Sequence, residues 1–570
     1  MSPTLLHAIA QIVRTPAALS FVLAALAPRW YQRRRLRQLL RASQGTEYGR
    51  AHGFDAIRDL DAYREAVPLM SAGDLSGWVD RLMQGERNLL TAEPPLFYGR
   101  TTGTSGRPKD IPITATFRRD FQRSVLVSLW FCFWRVPAAF RHKILYFVAP
   151  RCDEHAPDGV EVGSISGYNF TEMPAGVQSL YAWPYALVEV TDPRTRWYLA
   201  VHIAARQAVS VIAGIFPIGV LQMLYALEEH AEALAAHTAA GTFPDWLVLT
   251  EDQEQAFAAW KAPDPDAAAR LSAAARAAPE QQAAIAFPAL RAVFCWKTAT
   301  ASHYIPALQA RLGPNILVRD TVYSATEGWC SSPMGTGVDG GPLTLTSHVY
   351  EFLPVGVVEA VDGDLSSLRH APTLRPDELV AGERYYIILS TSAGLYRYFL
   401  GDVLAVTGRW ARAPWVHFAR KQRAFSNLAG EKLEETHVTQ SVGEALEELG
   451  ASAAWFAMMP LTGAQPGYRL YIELGDDNAD PARLADLAAR LGERLRANNA
   501  DWITFSKDGT LAPLEIHQLR AGAGKDGRLR WEKEGRSVGQ LKLSHLVTRP
   551  EQLPCVPGDL RLSYGGRASM

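Results

Sequence analysis

The sequence has no excess of charge of either sign. Its 570 residues include 58 lysines and arginines and 59 aspartates and glutamates, for a formal net charge of −1. Proteins that bind nucleic acid normally carry a basic excess on one face, so we expect no nucleic-acid partner. With 48% hydrophobic and 21% charged residues, the composition is that of an ordinary soluble globular protein, and the chain is too long for one hydrophobic core.

Cysteine is scarce, and the few cysteines form no C-x-x-C pair. They are scattered along the chain as Cys132, Cys152, Cys295, Cys330 and Cys555. Scattered cysteines in odd number are typical of reduced thiols in the cytosol, so we expect a cytoplasmic protein. The 14 histidines contain no H-E-x-x-H motif, and a transition metal held by side chains is therefore not expected.

The sequence lacks an uninterrupted apolar run long enough to span a membrane. The run between Pro16 and Pro28 has 11 residues, whereas a spanning helix needs about 20. The basic cluster starts at Arg29, after this run, and Pro28 directly follows Ala27, which disfavours a cleavable signal peptide. We predict a buried helix within a helical extension of residues 1–35 and no stable membrane insertion. An interfacial membrane helix is the alternative.

The strongest motif is a loop of hydroxyl, glycine and lysine residues, Thr101-Thr102-Gly103-Thr104-Ser105-Gly106-Arg107-Pro108-Lys109. Glycines let backbone N–H groups approach phosphate oxygens, hydroxyls donate further hydrogen bonds, and lysine supplies positive charge. The spacing G-x-x-G-x-x-K differs from that of a P-loop. A solvated turn has a similar composition, so the loop predicts a phosphate site only together with other motifs.

Two further segments supply these motifs. Tyr323-Ser324-Ala325-Thr326-Glu327-Gly328-Trp329 follows a predicted strand, at the position where α/β folds place ligands. Tyr396-Arg397-Tyr398-Phe399-Leu400-Gly401-Asp402-Val403 ends in a carboxylate beside a glycine, and an ionised carboxylate can accept from both hydroxyls of a ribose. Taken separately, each segment also fits core aromatics, a surface acid or a turn.

The remaining patterns predict helices followed by an α/β region. Helical periodicity covers 30–45, 117–134, a pair within 196–229, and short proline-bounded helices in 231–290. Strand-like runs follow at 291–296, 316–318, 385–389 and 403–406. A boundary after Lys421 would leave a C-terminal domain with helices at 434–449 and 481–498, a strand at 468–474 and a glycine-rich loop at 521–527.

In their order and spacing, the three motifs together resemble those of the adenylate-forming superfamily. The segment from Tyr396 to Val403 is similar to the Y-R-Y-x-L-G-D-V signature of the GH3 acyl-acid amido synthetases. Other segments resemble that family too, namely Thr46-Glu47-Tyr48-Gly49-Arg50, His52-Gly53-Phe54, Ile212-Ala213-Gly214-Ile215-Phe216, Tyr350-Glu351-Phe352-Leu353-Pro354 and Gly430-Glu431-Lys432. The resemblance covers nearly the whole chain, and we expect a bacterial member.

The resemblance implies a multidomain α/β (α+β) protein with the adenylate-forming fold. A large N-terminal domain, residues 1–420, would contain a β-barrel and α/β sheets, and residues 421–570 would form a small mobile α/β lid. The implied enzyme is an AMP-forming ligase that uses ATP and Mg²⁺ to adenylate a small carboxylic acid. It then transfers the acyl group to an amino acid or amine. We expect a monomer or weak dimer.

The resemblance also assigns roles to individual residues. The phosphates of ATP would be bound by Thr101, Thr102, Gly103, Thr104, Ser105 and Lys109. Tyr323 would stack on adenine, Thr326 would contact the α-phosphate, Glu327 would hold Mg²⁺, Asp402 would bind the ribose, and Arg420 would lie at the hinge. Lys542, in a Q-x-K element, would reach from the lid to the reacting carboxylate, so that Lys542, Glu327 and Thr326 form the catalytic set.

The acyl substrate is expected in an apolar pocket between the aromatic helix at 121–134 and the Gly214 segment. Its predicted lining is Trp130, Phe133, Phe216 and Val220. Aromatic residues in such stripes also serve as core. The base that accepts the amine proton is not assigned, and His303 and His348 are the candidates.

Two other functions share these motifs. An acyl-CoA ligase or a stand-alone adenylation enzyme that loads a thiol carries out the same first half-reaction. A catalytically silent protein that senses a nucleotide or small acid is the alternative of another class. Formation of a CoA thioester would identify the former, and absence of acid-dependent pyrophosphate exchange would identify the latter.

Overall fold

The computed structural model describes residues 3–101, 109–214, 217–361, 365–421, 425–426, 428, 431, 433–461, 466–476, 478–499, 502–503, 506, 511–534, 544–547 and 550–565. The chain divides into two compact units, Met1–Ala419 and Arg420–Met570. Each unit has its own sheets and its own hydrophobic core.

The helices of the first unit are mostly short, and several begin at a proline, a residue suited to the first turn because its missing N–H would have no partner there. They are α1 (Pro3–Leu26), α2 (Pro28–Ser43), α3 (Glu47–Ala51), α4 (Leu60–Ala66), α5 (Ala72–Met83), α6 (Ala115–Arg135), α7 (Ile165–Thr171), α8 (Ala175–Gln178), α9 (Pro193–Ala205), α10 (Pro217–Ala240), α11 (Glu251–Phe257), α12 (Pro265–Ala275), α13 (Pro279–Ala286), α14 (Ile305–Leu312) and α15 (Val355–Glu359).

Among the described residues, the strands of the first unit form four sheets. In chain order they are β1 (Phe97–Thr101), β2 (Lys109–Ile113), β3 (Lys143–Tyr146), β4 (Glu154–His155), β5 (Glu161–Gly163), β6 (Val209–Ala213), β7 (Ala292–Cys295), β8 (Leu317–Asp320), β9 (Ser324–Ala325), β10 (Gly328–Trp329), β11 (Gly341–Pro342), β12 (Val349–Pro354), β13 (Arg384–Ser390), β14 (Tyr398–Trp410) and β15 (Ala413–Lys421).

One sheet is parallel and supports the α/β prediction. Its strand order is β3-β6-β7-β8, and each pair is parallel. Apolar residues of α9, α10, α12, α13 and α14 pack with these strands in one core cluster, as expected for a parallel sheet covered by its crossover helices. The pair of helices predicted within 196–229 corresponds to α9 and α10, but the prediction missed β6, a buried strand between them.

A second sheet is antiparallel and has the order β11-β15-β14-β13-β12. The resemblance implies a β-barrel within residues 1–420, and this is the described antiparallel sheet with the most strands there. Among the described residues, its outer strands β11 and β12 are not paired with each other. A third sheet, β2-β1-β5-β4, contains the antiparallel pair β1 and β2 that flanks the glycine-rich loop.

The second unit is a four-stranded sheet with helices on both faces. Its elements are β16 (Phe425–Ser426), β17 (Leu433–Glu434), α16 (Glu435–Glu448), β18 (Ala453–Leu461), β19 (Gly467–Leu474), α17 (Pro481–Asn498), β20 (Glu515–Leu519), α18 (Ala523–Lys533) and β21 (Leu560–Tyr564). Helices α16 and α17 pack on one face of the sheet β18-β19-β20-β21, and α18 packs on the other.

The glycine-rich loop predicted at 521–527 is wrong, because α18 begins at Ala523. The two glycines inside this helix serve close packing. A Cβ at Gly527 would lie 1.8 Å from the carbonyl oxygen of Pro554, and one at Gly524 would lie 3.0 Å from Trp455 Cβ. Composition alone therefore suggested a turn where the backbone instead needs small residues to approach its neighbours.

The prediction of a buried helix between Pro16 and Pro28 is wrong in part, because the helix begins before Pro16 and Leu19, Leu23 and Leu26 are 52–59% exposed. A proline removes one hydrogen bond from a helix, and packing of α1 on the rest of the unit outweighs this loss. By length and composition alone, Leu5–Leu26 could cross a membrane, although 33% of its strongest window is buried in the structure.

Candidate active site

Thr326 and Glu327 form the tip of a two-stranded hairpin. Ala325 of β9 pairs with Gly328 of β10, so these two residues are the whole connection between the strands. The Glu327 side chain is largely buried at this tip, with 5% of the residue exposed. The motif predicted from sequence is therefore a tight turn that fixes a hydroxyl beside a carboxylate.

The hairpin tip lies against the strand that leads into the glycine-rich loop. A Cβ added to Gly99 in β1 would lie 2.6 Å from Thr326 Cγ2, which means that Thr326 packs directly on the β1 backbone. Strand β1 ends at Thr101, which is paired with Lys109 at the start of β2. Two motifs far apart in sequence are thus neighbours in the fold.

The predicted phosphate loop can be followed only at its two flanks. Thr102, Gly103, Thr104 and Ser105 lie outside the described residues, as does the side chain of Thr101. Lys109 is half-buried at the first position of β2. The roles assigned to these residues stay predictions.

Asp402 is placed by an irregularity in the five-stranded sheet. Between the pairs Tyr386–Val403 and Ile388–Phe399, one residue of β13 is opposite three residues of β14. Gly401 in this bulge has a φ of 74°, a conformation that favours glycine. Bulges commonly redirect a side chain next to an active site, and here the bulged segment contains the buried carboxylate of Asp402.

Tyr323 joins the second motif to the third. Its hydroxyl donates a hydrogen bond of 2.8 Å to Oδ2 of Asp402. Its ring is nearly parallel to that of Phe418, with 6.0 Å between centroids and 12° between planes. The aromatic residue predicted to stack on adenine is therefore held in orientation by the carboxylate predicted to bind ribose.

Electrostatics place Glu327 and Asp402 in one region. Burial raises the pKa of Tyr323, Cys330 and Tyr398, and the negative charges of both carboxylates raise each of these pKa values further. Since both acids act on the same three buried groups, the hairpin tip and the β14 bulge share one environment.

The hydroxyl of Tyr398 provides a further polar group in this environment. The side chain is fully buried, and its hydroxyl has no hydrogen-bond partner among the described residues. A buried hydroxyl without a partner is unfavourable, so a bound molecule that bonded to it would be stabilised. Tyr398 belongs to the Y-R-Y segment, but the sequence alone predicted no role for it.

The rest of the Y-R-Y segment is scaffold. The hydroxyl of Tyr396 donates to the carbonyl oxygen of Leu90 at 2.7 Å, and its ring stacks on Tyr48. Arg397 is fully buried, and its Nε lies 3.2 Å from Oε1 of Glu351. Segments at 46–50 and 350–354, which share the family resemblance, thus contact the Y-R-Y segment directly.

Of the two cations predicted at the hinge and in the lid, the structure describes Arg420 alone. Arg420 is buried, and its Nε lies 3.1 Å from Oε1 of Glu434 within the second unit. Lys542 lies outside the described residues. Its catalytic assignment stays a prediction.

The described residues of the predicted acyl pocket, Trp130, Phe133 and Val220, have different surroundings. Trp130 packs against α1 and donates from its indole N–H to Thr15 Oγ1 at 3.2 Å. Phe133 belongs to a cluster with Phe140 and α6 residues, and Val220 is fully buried in the helical core. Phe216 lies outside the described residues. The described members of this set belong to three separate hydrophobic clusters, and their role in binding the acyl substrate stays a prediction.

A different part of α6 reaches the site. Phe121, near its N-terminal end, makes an edge-to-face contact of 5.1 Å with Trp329, the residue that pairs with Ser324 in the hairpin. Helix α6 was therefore identified correctly, but its apolar contact with the hairpin is about two and a half to three turns away from Trp130 and Phe133. Helical periodicity cannot say which end of a helix faces a distant motif.

Neither candidate base gains support. His348 is fully buried, and burial together with the charge of Arg35 lowers its pKa to about 3, so it is a weak proton acceptor. The His303 side chain lies outside the described residues.

Among the described residues, one group of potential metal ligands lies around β4 and β5. Cys152, His155 and Glu161 bring their ligand atoms within 4.8 Å of one another, which the sequence pattern did not predict. Glu161 already accepts a hydrogen bond of 2.7 Å from Arg151, and the cysteine and histidine are exposed. We assign no metal to this cluster.

Comparison with known proteins agrees with the arrangement of motifs. The GH3 family N-terminal, central and C-terminal domains match residues 20–316, 341–421 and 436–551. An indole-3-acetic acid-amido synthetase, GH3.8 of Oryza sativa subsp. indica, is 27% identical over 545 residues, which are 91% of this chain and 88% of that protein. The indole-3-acetic acid-amido synthetase GH3.6 of Arabidopsis thaliana is 25% identical over 525 residues, which are 86% of this chain and 84% of that protein.

Among solved structures, the GH3.15 acyl acid amido synthetase has a similar fold. Its TM-score is 0.83 over 96% of both chains, at 21% sequence identity. The mixed α/β architecture predicted from sequence is confirmed by this similarity. Because the N-terminal family domain alone matches more than half of the sequence, the chain belongs to the GH3 family.

Proposed function

We propose that this protein is an ATP-dependent acyl-acid amido synthetase. It would adenylate a small carboxylic acid with release of pyrophosphate, and then transfer the acyl group to an amino acid or amine with release of AMP. Membership of the GH3 family and the amido synthetase activity named for its relatives support this function. The observation that carries the proposal is the convergence of Glu327, Thr326, Tyr323 and Asp402 on one buried region beside β1.

Activation is needed because a carboxylate is a poor electrophile. In the first half-reaction, an oxygen of the acid attacks the α-phosphorus of ATP, and the bond to pyrophosphate breaks. Fixed donors that stabilise the charge developing at phosphorus lower this barrier. Thr326 and Lys542 would serve as such donors, and Tyr323 and Asp402 would hold the nucleoside.

The donor set at the hairpin tip fits Mg²⁺. Magnesium prefers oxygen ligands and is usually bound through one or two carboxylates together with substrate phosphates. Glu327 presents a carboxylate on a rigid two-residue turn, next to the flanks of the predicted phosphate loop. The ion would offset phosphate charge as a Lewis acid.

In the second half-reaction, the amine nitrogen attacks the acyl carbon and the bond to AMP breaks. Exclusion of water protects such an acyl-adenylate from hydrolysis. Movement of residues 421–570 as a lid is part of the proposal. Five free cysteines fit a reducing compartment, and we place the protein in the cytoplasm.

Product analysis tests the proposal directly. The protein is incubated with ATP, Mg²⁺ and a panel of acids, with either amino acids or CoA as acceptor, and products are identified by mass spectrometry. An amide together with AMP supports the proposal. A CoA thioester as the sole product would instead identify a thiol-loading ligase, and absence of acid-dependent pyrophosphate exchange would identify a silent binding protein.

Two variants separate catalysis from folding in the same exchange assay. Glu327→Gln keeps the side-chain shape and should lower exchange by about 10²–10³-fold, the usual effect of losing one charge-stabilising group. Glu228→Gln, a half-buried glutamate paired with Arg311 elsewhere in the first unit, should leave exchange unchanged.

A further inference from the structure

Helix α1 exposes more apolar surface than an ordinary surface helix. Its inward side carries buried polar residues in the first half, His7, Gln11 and Arg14, and mainly small apolar residues with Phe21 in the second half. Its outward side carries large apolar residues that are 45–74% exposed, namely Leu5, Ile9, Ile12, Val13, Leu19, Leu23 and Leu26. A helix that only packed on the protein body would turn these apolar residues inward.

The exposed side of α1 contains no charged residue. Between Leu5 and Leu26, the other exposed positions are Ala8 and Pro16. At about 1.5 Å per residue, this apolar surface is about 30 Å long. Isolated exposed apolar residues are common on soluble proteins, but a continuous surface of this length marks an interaction site.

A basic surface continues directly from the apolar one. The exposed residues after Leu26 include Trp30 and the arginines of α2, which are Arg29, Arg33, Arg34, Arg37 and Arg41. Residues 1–46 contain seven arginines and no aspartate or glutamate, in a chain whose net charge is −1. Positive charge is therefore concentrated beside the exposed leucines.

The charge of most of these arginines is not neutralised by a carboxylate of the described residues. Arg29 pairs with Asp377 at 2.5 Å, and Arg34 lies over the ring of Trp30 at 5.4 Å. Among the described residues, no carboxylate lies within ion-pair distance of Arg33, Arg37 or Arg41. An exposed tryptophan beside basic residues is typical of segments at the boundary between lipid and water.

We propose that the exposed apolar face of α1 and the arginine face of α2 form a docking surface for an anionic lipid bilayer. The leucines and isoleucines would enter the acyl boundary, and the arginines would contact negatively charged headgroups. This inference does not depend on the proposed catalytic function.

Two other occupants are less favoured by the same residues. A spanning arrangement would place Arg14, at the middle of the helix, near the bilayer centre, where arginine is costly. That arrangement would also break the packing of α1 on α6, in which Phe21 contacts Phe131 at 5.9 Å. A second copy of the chain that covered the exposed apolar face of α1 would bring its own positively charged arginines close to those of the first copy.

Vesicle flotation of the full chain tests the docking surface. Phosphatidylcholine vesicles are compared with vesicles that also contain phosphatidylglycerol, at low and at high salt. We expect binding to the anionic vesicles that weakens at high salt, because headgroup contacts are screened. No binding to anionic vesicles at low salt would overturn the proposal, and so would equal, salt-insensitive binding to both compositions.

Matched variants identify the surface. Leu19→Asp should reduce vesicle binding by at least about tenfold, since an exposed leucine that would enter the bilayer is replaced by a charge. Val248→Asp changes an equally exposed residue, 62% against 59%, and should have no effect. Arg37→Glu should weaken binding by about fivefold or more, whereas Arg119→Glu, an exposed arginine outside the surface, should not.

Sedimentation and extraction distinguish the other occupants. The wild type could be a dimer that Leu19→Asp converts to a monomer, with no binding of either protein to vesicles. A second copy would then cover the exposed apolar face of α1, and the proposal would be wrong. Resistance of vesicle-bound protein to alkaline carbonate would indicate a spanning helix and would likewise overturn it. Release by carbonate, with unchanged thermal unfolding of Leu19→Asp, supports a peripheral surface.

Discussion

The hydroxyl of Tyr323 donates a hydrogen bond of 2.8 Å to the buried carboxylate of Asp402. This bond connects the residue before the β9–β10 hairpin with the bulge in β14. It fixes the plane of the Asp402 carboxylate. The two oxygens of a carboxylate can accept several hydrogen bonds, so this group can accept others besides the one from Tyr323. The ring predicted to stack on adenine and the acid predicted to bind ribose therefore have a defined mutual geometry before any nucleotide binds.

Replacement of Tyr323 by phenylalanine should weaken ATP binding. The ring and its parallel contact with Phe418 remain, but Asp402 loses a donor and its orientation. Hydrogen bonds to charged groups contribute about 1.5–3 kcal/mol, so we expect the KM for ATP to rise by about ten- to a hundredfold. The maximal rate at saturating ATP should change less. Pyrophosphate exchange at varied ATP concentration measures both quantities.

Tyr396→Phe is the matched control. This residue is also fully buried, and its hydroxyl donates to the Leu90 carbonyl at 2.7 Å, on the scaffold side of the motif. We expect a lower Tm and an unchanged KM for ATP. Equal effects of both variants on KM would mean that general loosening, and not the bond to Asp402, controls nucleotide affinity.

A methyl group at Gly99 should displace the catalytic hairpin. The added Cβ would lie 2.6 Å from Thr326 Cγ2, which is closer than two non-bonded carbon atoms can approach. The hairpin tip or β1 must shift, and a displacement of about 1 Å in an active site commonly costs about a hundredfold in rate. We therefore expect Gly99→Ala to lower kcat strongly in the exchange assay.

A second substitution should restore the activity of Gly99→Ala. Thr326→Ser removes Cγ2 but keeps the hydroxyl, so the double variant has room for the new methyl group. Thr326→Ser alone should retain most activity. Gly77→Ala, where nothing lies within 4 Å of the added Cβ, should have no effect. Failure of Thr326→Ser to rescue Gly99→Ala would contradict the packing described for these two residues.

Local signals allowed much of this fold to be predicted from sequence. Helix α17 has a capping aspartate at 480, a proline at its first position and buried leucines at 484, 487, 491 and 495, and its predicted bounds are confirmed. Such features depend only on neighbouring residues. The errors arose where distant packing decides the structure, as at Gly524 and Gly527 inside α18.

The candidate site shows the same division. The motifs around Glu327 and Asp402 could be found from residue types and order, but their meeting depends on contacts that no local pattern encodes. The contact between Gly99 and Thr326 and the bulge at Gly401 are of this kind. Trp130 illustrates a related limit of local patterns, because its helical periodicity suits a pocket and a helix interface equally well, and its indole N–H bonds to Thr15 of α1.

Loss of the buried Arg397 charge should destabilise the first unit. Its Nε lies 3.2 Å from Glu351, and neither side chain is more than 1% exposed. Removal of one partner from a buried ion pair typically costs about 3–5 kcal/mol, so Arg397→Met should markedly lower the Tm of the first unit. If this variant does not fold, Arg397→Lys provides the test. It keeps a positive charge, so its Tm should lie between that of the wild type and that of a fully destabilised protein.

Arg81→Met is the exposed counterpart for Arg397→Met. Arg81 contacts Glu47 at 2.8 Å and Glu86 at 2.7 Å, but all three side chains are well exposed. Exposed ion pairs contribute about 0–1 kcal/mol, so its Tm should stay near that of the wild type. Similar losses for both variants would show that burial does not determine the contribution of the Arg397–Glu351 pair.

Buried His348 should make stability depend on pH in the acidic range. Its pKa is lowered from 6.5 to about 3, first by burial and then by the charge of Arg35. Above pH 6.5 the imidazole is neutral in both folded and unfolded chains and costs nothing. Below 6.5 the unfolded chain binds a proton that the folded chain does not, so stability falls progressively towards pH 3, by up to about 1.4 kcal/mol per pH unit.

His348→Leu should remove this contribution. Both ring nitrogens are buried without a hydrogen-bond partner among the described residues, so an apolar side chain of similar volume should cost little at neutral pH. Thermal unfolding measured from pH 7 downward should then show a shallower decline than in the wild type, because one fewer proton is taken up on unfolding. Leu345→Val, a change in a buried non-titrating neighbour, should shift the Tm equally at every pH. An unchanged pH dependence in His348→Leu would show that other buried histidines, such as His7 and His202, account for the acid sensitivity.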